Sequence, residues 1–257
     1  MYPREYFDTF WRGDIKNEVF VIMPFTEEFT PVWEYAIKPA IEEDTQENPI
    51  ARRVDTTTIT GNIAFEILEG IAHAKIVFAD ISVCTSEKWK GQRNGNVMYE
   101  VGLAHALRQK EEIIMVRKDD EEINFDIVQI RVQRYDPSDL HKTRKEFSTF
   151  IKNSINTIDN LKSLKVEQAV RSLTANCPRL MFYNEGFHIH EPTETKPKST
   201  LTILRDYDGV RTLMSLGMLW CDLDLKTHQY AYHWTDFGKI VLQKAGFLKN
   251  PKEAKIN

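Results

Sequence analysis

The stretch that decides the fold is Lys75-Ile-Val-Phe-Ala-Asp80-Ile-Ser, followed after a polar insertion by Asn94-Gly-Asn-Val-Met-Tyr-Glu100-Val-Gly-Leu-Ala-His-Ala-Leu107. Ile76 to Ala79 is a short unbroken apolar run, the pattern of a strand covered on both faces, and Asp80 stands where it ends. From Val97 the apolar spacing changes to Val97, Val101, Ala104 and Leu107, which predicts a helix with Asn96 as its N-cap. Glu100 then falls in about the first turn, where the positive helix end favours the ionised carboxylate. A strand-end acid and a helix-start acid are thereby aimed at one crevice. The plainer alternative is that Asp80 caps a loop and Glu100 only complements the helix dipole. The two-acid reading requires both carboxyl groups to open on one ligand-sized hollow; turned apart, or sealed behind packed side chains, they lose it.

Working outward, Glu18 to Phe25 reads as a first buried strand, and Thr30-Pro31 starts a helix that buries Val32, Trp33, Ala36, Ile37, Ala40 and Ile41, with a kink expected at Pro39. Ile50 to Asp55 is a second strand. Ile63, Ile67 and Ile71 mark one face of the helix that leads into the Ile76–Ala79 strand. After the Glu100 helix come a strand at Glu112–Arg117, an acidic turn at Asp119–Glu122, a last strand within 125–135, and an amphipathic helix from Leu140 to Ile158 carrying Phe147, Phe150, Ile151 and Ile155. Strands alternating with helices predict a parallel sheet wound on both faces, flavodoxin- or Rossmann-like, which binds ligands beyond the carboxyl ends of its strands. Met23-Pro24-Phe25, Arg53, Asp55, Asp80 and Arg117 lie near such ends, with Asn96, Tyr99 and Glu100 opening the neighbouring helix.

The quoted motif, with Val19-Phe-Val-Ile-Met-Pro-Phe25, resembles the nucleoside 2-deoxyribosyltransferase-like group of Rossmann-type domains, relatives of the TIR domains. The likeness covers about residues 17–136. It implies that Glu100 is the nucleophile at the anomeric carbon, that Asp80 holds or protonates the leaving base, and that a neighbouring subunit completes the site of a homo-oligomer. Two departures stand out. Ser82 to Gly95 is longer and more charged than the compact loop of the transferases, and Val101 occupies a position where leucine is usual.

Composition fits an ordinary globular chain: 257 residues with 42% apolar and 28% charged content, enough for one large or two ordinary domains. No apolar run approaches the ~18–20 residues that span a bilayer. The first residues, Met1-Tyr-Pro-Arg-Glu-Tyr-Phe-Asp8, lack the plan of a secretory signal, so a cytoplasmic location without membrane contact is expected. Cys84, Cys177 and Cys221 are scattered and read as free thiols. Charge is uneven: residues 1–159 carry 20 basic and 28 acidic side chains, residues 160–257 carry 14 and 10. Two domains follow, 1–158 and 160–257.

The second part reads as α+β. Residues 164–174 and the run from Leu201 to Leu219 look helical; Leu219–Leu225 and Tyr230–Trp234 form a hairpin around Lys226-Thr-His-Gln; Thr235 caps a short helix. This order resembles a winged-helix module, which implies DNA binding or a docking role. Basic side chains on the helices are few, chiefly Arg205 and Arg211, so DNA is the weaker expectation.

The chemistry implied is cleavage of an N-glycosidic bond, whose oxocarbenium-like transition state needs an anion beneath the sugar and a proton for a basic leaving group. Glu100 supplies the first and Asp80, or else Asp55, the second. Met23, Pro24, Phe25, Arg53, Asp55, Asn96, Tyr99 and Arg117 are the candidate substrate-binding residues; Arg53 and Arg117 suit a phosphate, and solvated charge is their plainer role. No metal or other cofactor is called for, and the His188-x-His190-Glu191 run lacks a third remote ligand. The expected function is N-glycosidic cleavage or transfer on a nucleoside, nucleotide or NAD-type molecule. The alternatives are a non-catalytic nucleotide sensor and a DNA-binding regulator.

Overall fold

The computed structural model of the chain describes residues 15–54, 63–85, 90–122, 131–183, 185–189, 199–226 and 228–248. It divides into two compact units, residues 1–160 and 161–257. Among the described residues no helix is long and apolar enough to cross a membrane.

In the first unit, β1 (Lys16–Ile22) is followed by a helical stretch made of α1 (Thr30–Val32) and α2 (Lys38–Glu42), joined by a π turn over Trp33–Ile37. The wide turn lies just ahead of Pro39, which has no N–H to donate and stands in the first turn of α2, so the irregularity expected at the proline falls before it. Then come β2 (Ile50–Arg52), α3 (Ile63–His73), β3 (Ala74–Asp80), the short hairpin β4 (Val83–Cys84) and β5 (Gln92–Arg93), α4 (Gly95–Leu107), β6 (Ile113–Arg117), β7 (Val132–Arg134) and α5 (Leu140–Arg171). The sheet has the order β2-β1-β3-β6-β7 with every pair parallel. The order reverses between β1 and β3, the point at which such sheets open a ligand crevice. Two predicted helices, 140–158 and 164–174, are one: nothing between Ile158 and Leu164 breaks the helical period, so α5 runs on to Arg171.

The alternation of each strand assigns its side chains to one of two layers. Phe20 and Ile22 of β1, Val77 and Ala79 of β3 and Met115 of β6 share a buried cluster with Ile71 of α3 and with Val97, Val101, Ala104 and Leu107 of α4. Gly70 lets α3 come this close: a Cβ there would stand 2.2 Å from the Phe20 ring. Phe78 faces the other way, with its ring centroid 5.1 Å from that of Phe147 on α5. Arg144 of α5 holds both oxygens of Asp44, just past α2, at 2.7 and 2.8 Å. The sheet therefore has an α3–α4 face and an opposite face covered by α5.

Behind the sheet, Arg108 is buried at the end of α4. It donates to Glu112 (2.9 Å) and to the carbonyls of Ile71, Ala72 and Lys75, so it satisfies acceptors that the end of α3 leaves open.

The second unit is α+β. It contains α6 (Cys177–Met181), β8 (Phe187–His188), α7 (Thr200–Ser215), β9 (Leu219–Asp224), β10 (Gln229–Trp234) and α8 (Asp236–Lys244). Its three-stranded antiparallel sheet has the order β8-β10-β9. Phe187, Tyr232 and Trp234 pack together on one side of it, and the Trp234 indole N–H donates to the Tyr183 carbonyl at 2.7 Å. Ser199 caps α7, and Thr235 caps α8 through the Gly238 N–H.

Candidate functional site

Helix α4 begins two residues earlier than the sequence pattern predicts. Asn94, not Asn96, is the N-cap, its side-chain oxygen accepting from the N–H groups of Asn96 and Val97. Glu100 is consequently the sixth helical residue, past the first turn, and the helix dipole does little for its charge. It stands three residues after buried Val97 and four before buried Ala104, on the flank of the stripe that packs on the sheet. Half-buried there, its carboxyl has no hydrogen-bond or ion-pair partner among the described residues. Burial pushes its pKa up to about 7, opposite to the direction that a place in the first turn predicts. Tyr99 is 69% exposed and Asn96 is exposed as well.

Asp80 ends β3 as expected but points to the other layer. It is in phase with Phe78, and its Oδ2 accepts from the Tyr135 hydroxyl at 2.7 Å, the Tyr135 ring in turn resting against Phe147 of α5. Its Oδ1 accepts from the Ser82 N–H (3.0 Å) and hydroxyl (2.5 Å), and Ser82 Oγ accepts from the Lys118 N–H. The carboxyl is fully buried; burial drives its pKa upward against these hydrogen bonds. The convergence of Asp80 with Glu100 is thus corrected. The two lie on opposite faces of the sheet, and Asp80 is sealed in a knot that ties the end of β3 to β6 and Tyr135.

Three candidate binding residues do come together. The Arg53 guanidinium lies 4.6 Å from the Trp33 ring centroid and 5.3 Å from that of Phe25, with Nη1 3.5 Å from Met23 Sδ. Met23, Pro24 and Trp33 are buried, whereas Phe25 is 57% exposed, so the stacked cation has one open aromatic wall. Asp55 lies outside the described residues.

Arg117 follows Met115 in phase and so shares the α3–α4 face with Glu100. Its Nη1 donates to the Glu121 carbonyl at 2.6 Å, and its Nε is buried without a partner among the described residues. Beside it is a residue that the sequence reading passed over. Arg93, immediately before the α4 cap, donates to the Ile81 carbonyl, pairs with Asp119 at 3.1 Å and reaches the carbonyls of Glu121 and Glu122. Asp119 also accepts from the Val83 N–H at 2.8 Å. The charged insertion is therefore a hairpin clamped to the loop after β6. The available signal was the pairing of a basic residue in the insertion with the acidic turn at 119–122.

On the other side of the hairpin, Lys118 lies 4.1 Å from the Phe29 ring centroid and 3.2 Å from Glu28, which also accepts from Thr85. His105 of α4 has a buried Nε2 with no partner among the described residues, and burial lowers its pKa. Among the described residues no group of three or more His, Cys, Asp or Glu side chains is placed to hold a metal ion; His190 and Glu191 lie outside them.

The arrangement offers a carboxyl with a raised pKa and an arginine on the α3–α4 face, and an aromatic–guanidinium stack at the ends of β1 and β2. No protein-family model matches the chain, and no curated protein matches it.

Proposed function

We propose that the first unit cleaves the N-glycosidic bond of a pyridinium nucleotide of the NAD type, with Glu100 as its single reacting carboxylate. The observation that carries this reading is the contrast between the two acids: Glu100 is half-buried, without a hydrogen-bond or ion-pair partner among the described residues and raised in pKa to about 7, while Asp80 is sealed on the other face. Carboxyls with strongly perturbed pKa values are frequent reaction centres.

Purine and pyrimidine bases leave as poor anions and need a proton from a second group. A pyridinium base does not. When its C1′–N bond breaks, the bonding pair neutralises the ring nitrogen and neutral nicotinamide departs. The sugar cation is then stabilised or captured by the Glu100 carboxylate, and water adds at C1′ with loss of a proton. A site with one available carboxylate fits that leaving group. Arg117 and the Arg53 stack are the groups suited to phosphate and to the second base.

A second reading, a nucleotide-sensing site without turnover, is favoured by the same sealing of Asp80. Incubating the purified protein with NAD, nucleosides and nucleotides, followed by chromatography, separates the two. The enzyme reading expects free nicotinamide from NAD and none with Glu100→Gln, which should still bind NAD. Binding with no product from any substrate would favour the sensor.

A further inference from the structure

Helix α5 covers its face of the sheet unevenly. Phe147, Ile151, Ile155 and Ile158 form its buried stripe, and Phe147 rests on Phe78 of β3. The next flank of the same helix, Phe150, Asn153, Ser154 and Thr157 at i, i+3, i+4 and i+7, lines an open cavity of about 660 Å³ beside β6 and β7. On the strand side stand Ile114, in register with Phe78, and Gln133, in register with Val116, with Arg131 just ahead of β7. The cavity therefore lies on the α5 face toward the amino ends of the strands, away from Glu100 and Arg117. Space between a sheet and its covering helix is ordinarily filled by apolar side chains. Here polar groups stand in their place, and the side chains of Arg131, Gln133, Asn153 and Ser154 have no partner among the described residues. Lys110 also lines the cavity, but Glu111 lies 3.8 Å from its Nζ and offsets its charge, so the Arg131 guanidinium is the unmatched one.

We propose that this cavity binds a nucleoside monophosphate, with the phosphate on Arg131 and the base laid along Phe150 with its edge toward Asn153 and Gln133. The lining selects this class. A bare anion leaves Phe150 and Ile114 unused, and a wholly apolar ligand would strip water from Arg131, Gln133, Asn153 and Ser154 without replacing its hydrogen bonds. Asn153 and Gln133 each carry a donor and an acceptor, which is what a base edge presents in return. Phe150 supplies a ring for stacking, and a guanidinium takes phosphate oxygens in pairs. The volume falls within the roughly 300–1,000 Å³ of small-molecule sites. The inference is independent of the glycosidase reading, which concerns the other face of the sheet.

Calorimetric titration of the full chain with AMP, GMP, CMP and UMP tests it, with the parent nucleosides and inorganic phosphate as comparisons. At least one nucleotide should bind with a Kd below about 1 mM, and about tenfold or more tightly than its nucleoside or phosphate alone. Arg131→Ala should weaken binding about tenfold or more, and Ser154→Leu, which fills the cavity, should abolish it. Arg117→Ala, at the opposite end of the sheet, should leave it within about twofold. Arg131 is exposed and Ser154 half-buried, so an unchanged melting temperature will confirm that each variant folds. The proposal is overturned if no nucleotide binds, if binding is indifferent to Arg131→Ala or to Ser154→Leu, or if inorganic phosphate binds as tightly as the nucleotides. Binding lost in Arg117→Ala and kept in Arg131→Ala also overturns it, because the nucleotide would then sit at the carboxyl ends of the strands.

Discussion

Glu100 is half-buried with no partner for its charge among the described residues, and its protonation should therefore be visible in both activity and stability. A carboxylate that attacks or steadies a sugar cation must be ionised, so kcat/KM for NAD should rise with pH through about 7 and level off above it. The stability effect has the opposite sense. An acid whose pKa is about 7 in the folded chain and 4.5 unfolded takes up a proton on folding, so its contribution falls as pH rises from 4.5 to 7. Above pH 7 the full cost is present; below about 4 there is none. Glu100→Gln should accordingly raise stability at pH 8 by roughly 1–2 kcal/mol, allowing for its exposed part, and leave it nearly unchanged at pH 4. Urea denaturation at the two pH values checks this. Replacing Asp80, in contrast, should cost stability. Asp80→Ala removes the acceptor for the Ser82 N–H, the Ser82 hydroxyl and the Tyr135 hydroxyl, a loss of about 2–4 kcal/mol. NAD turnover by the folded fraction should then fall less than about threefold. A large loss of kcat in Asp80→Asn with an unchanged melting temperature would return Asp80 to the chemistry.

The elements pack by close approach. Helix α3 reaches the sheet through Gly70, and Gly70→Ala would put a methyl group into the ring of Phe20, which is only 1% exposed. The ordinary gain of ~1 kcal/mol for alanine over glycine in a helix should be outweighed by about 2–3 kcal/mol of overpacking, read as a lower denaturation midpoint. The elements were largely legible in the sequence because burial imposes a period. Unbroken apolar runs marked β1, β3 and β6, i, i+4 spacing marked α3 and α4, and the Thr235 cap marked α8. What the period does not encode is phase. Asp80 was placed correctly at the end of β3, but only the layer containing Phe78, Tyr135 and Phe147 reveals which way it points. The two-residue shift from Asn96 to Asn94 as cap likewise took Glu100 out of the first turn, and the burial that raises its pKa is not written in the pattern. Two asparagines flanking a glycine are equivalent to a pattern and distinct in space. Arg93 escaped for a related reason, since its partner Asp119 lies 26 residues away.

Across the whole molecule charge is divided between the two parts of the chain, with 14 basic and 10 acidic side chains over residues 160–257. That excess invites a nucleic-acid partner; its placement argues against one. On the exposed face of α7 the basic residues are Arg205 and Arg211, set among four apolar side chains and Asp208. The β9–β10 hairpin carries Asp222 and Asp224 on its strands and exposes Trp220, Leu223, Leu225 and Tyr230. Affinity for duplex DNA is set by the number of phosphates neutralised, each lowering the slope of log K against log salt by about 0.9. Two arginines would give a slope no steeper than about −2, and the acidic hairpin would oppose even that. Titrating a fluorescent duplex with the full chain between 50 and 200 mM salt should therefore show only weak binding with a shallow slope. A slope of −5 or steeper, abolished by Arg205→Ala and Arg211→Ala together, would mean that the second unit reads nucleic acid.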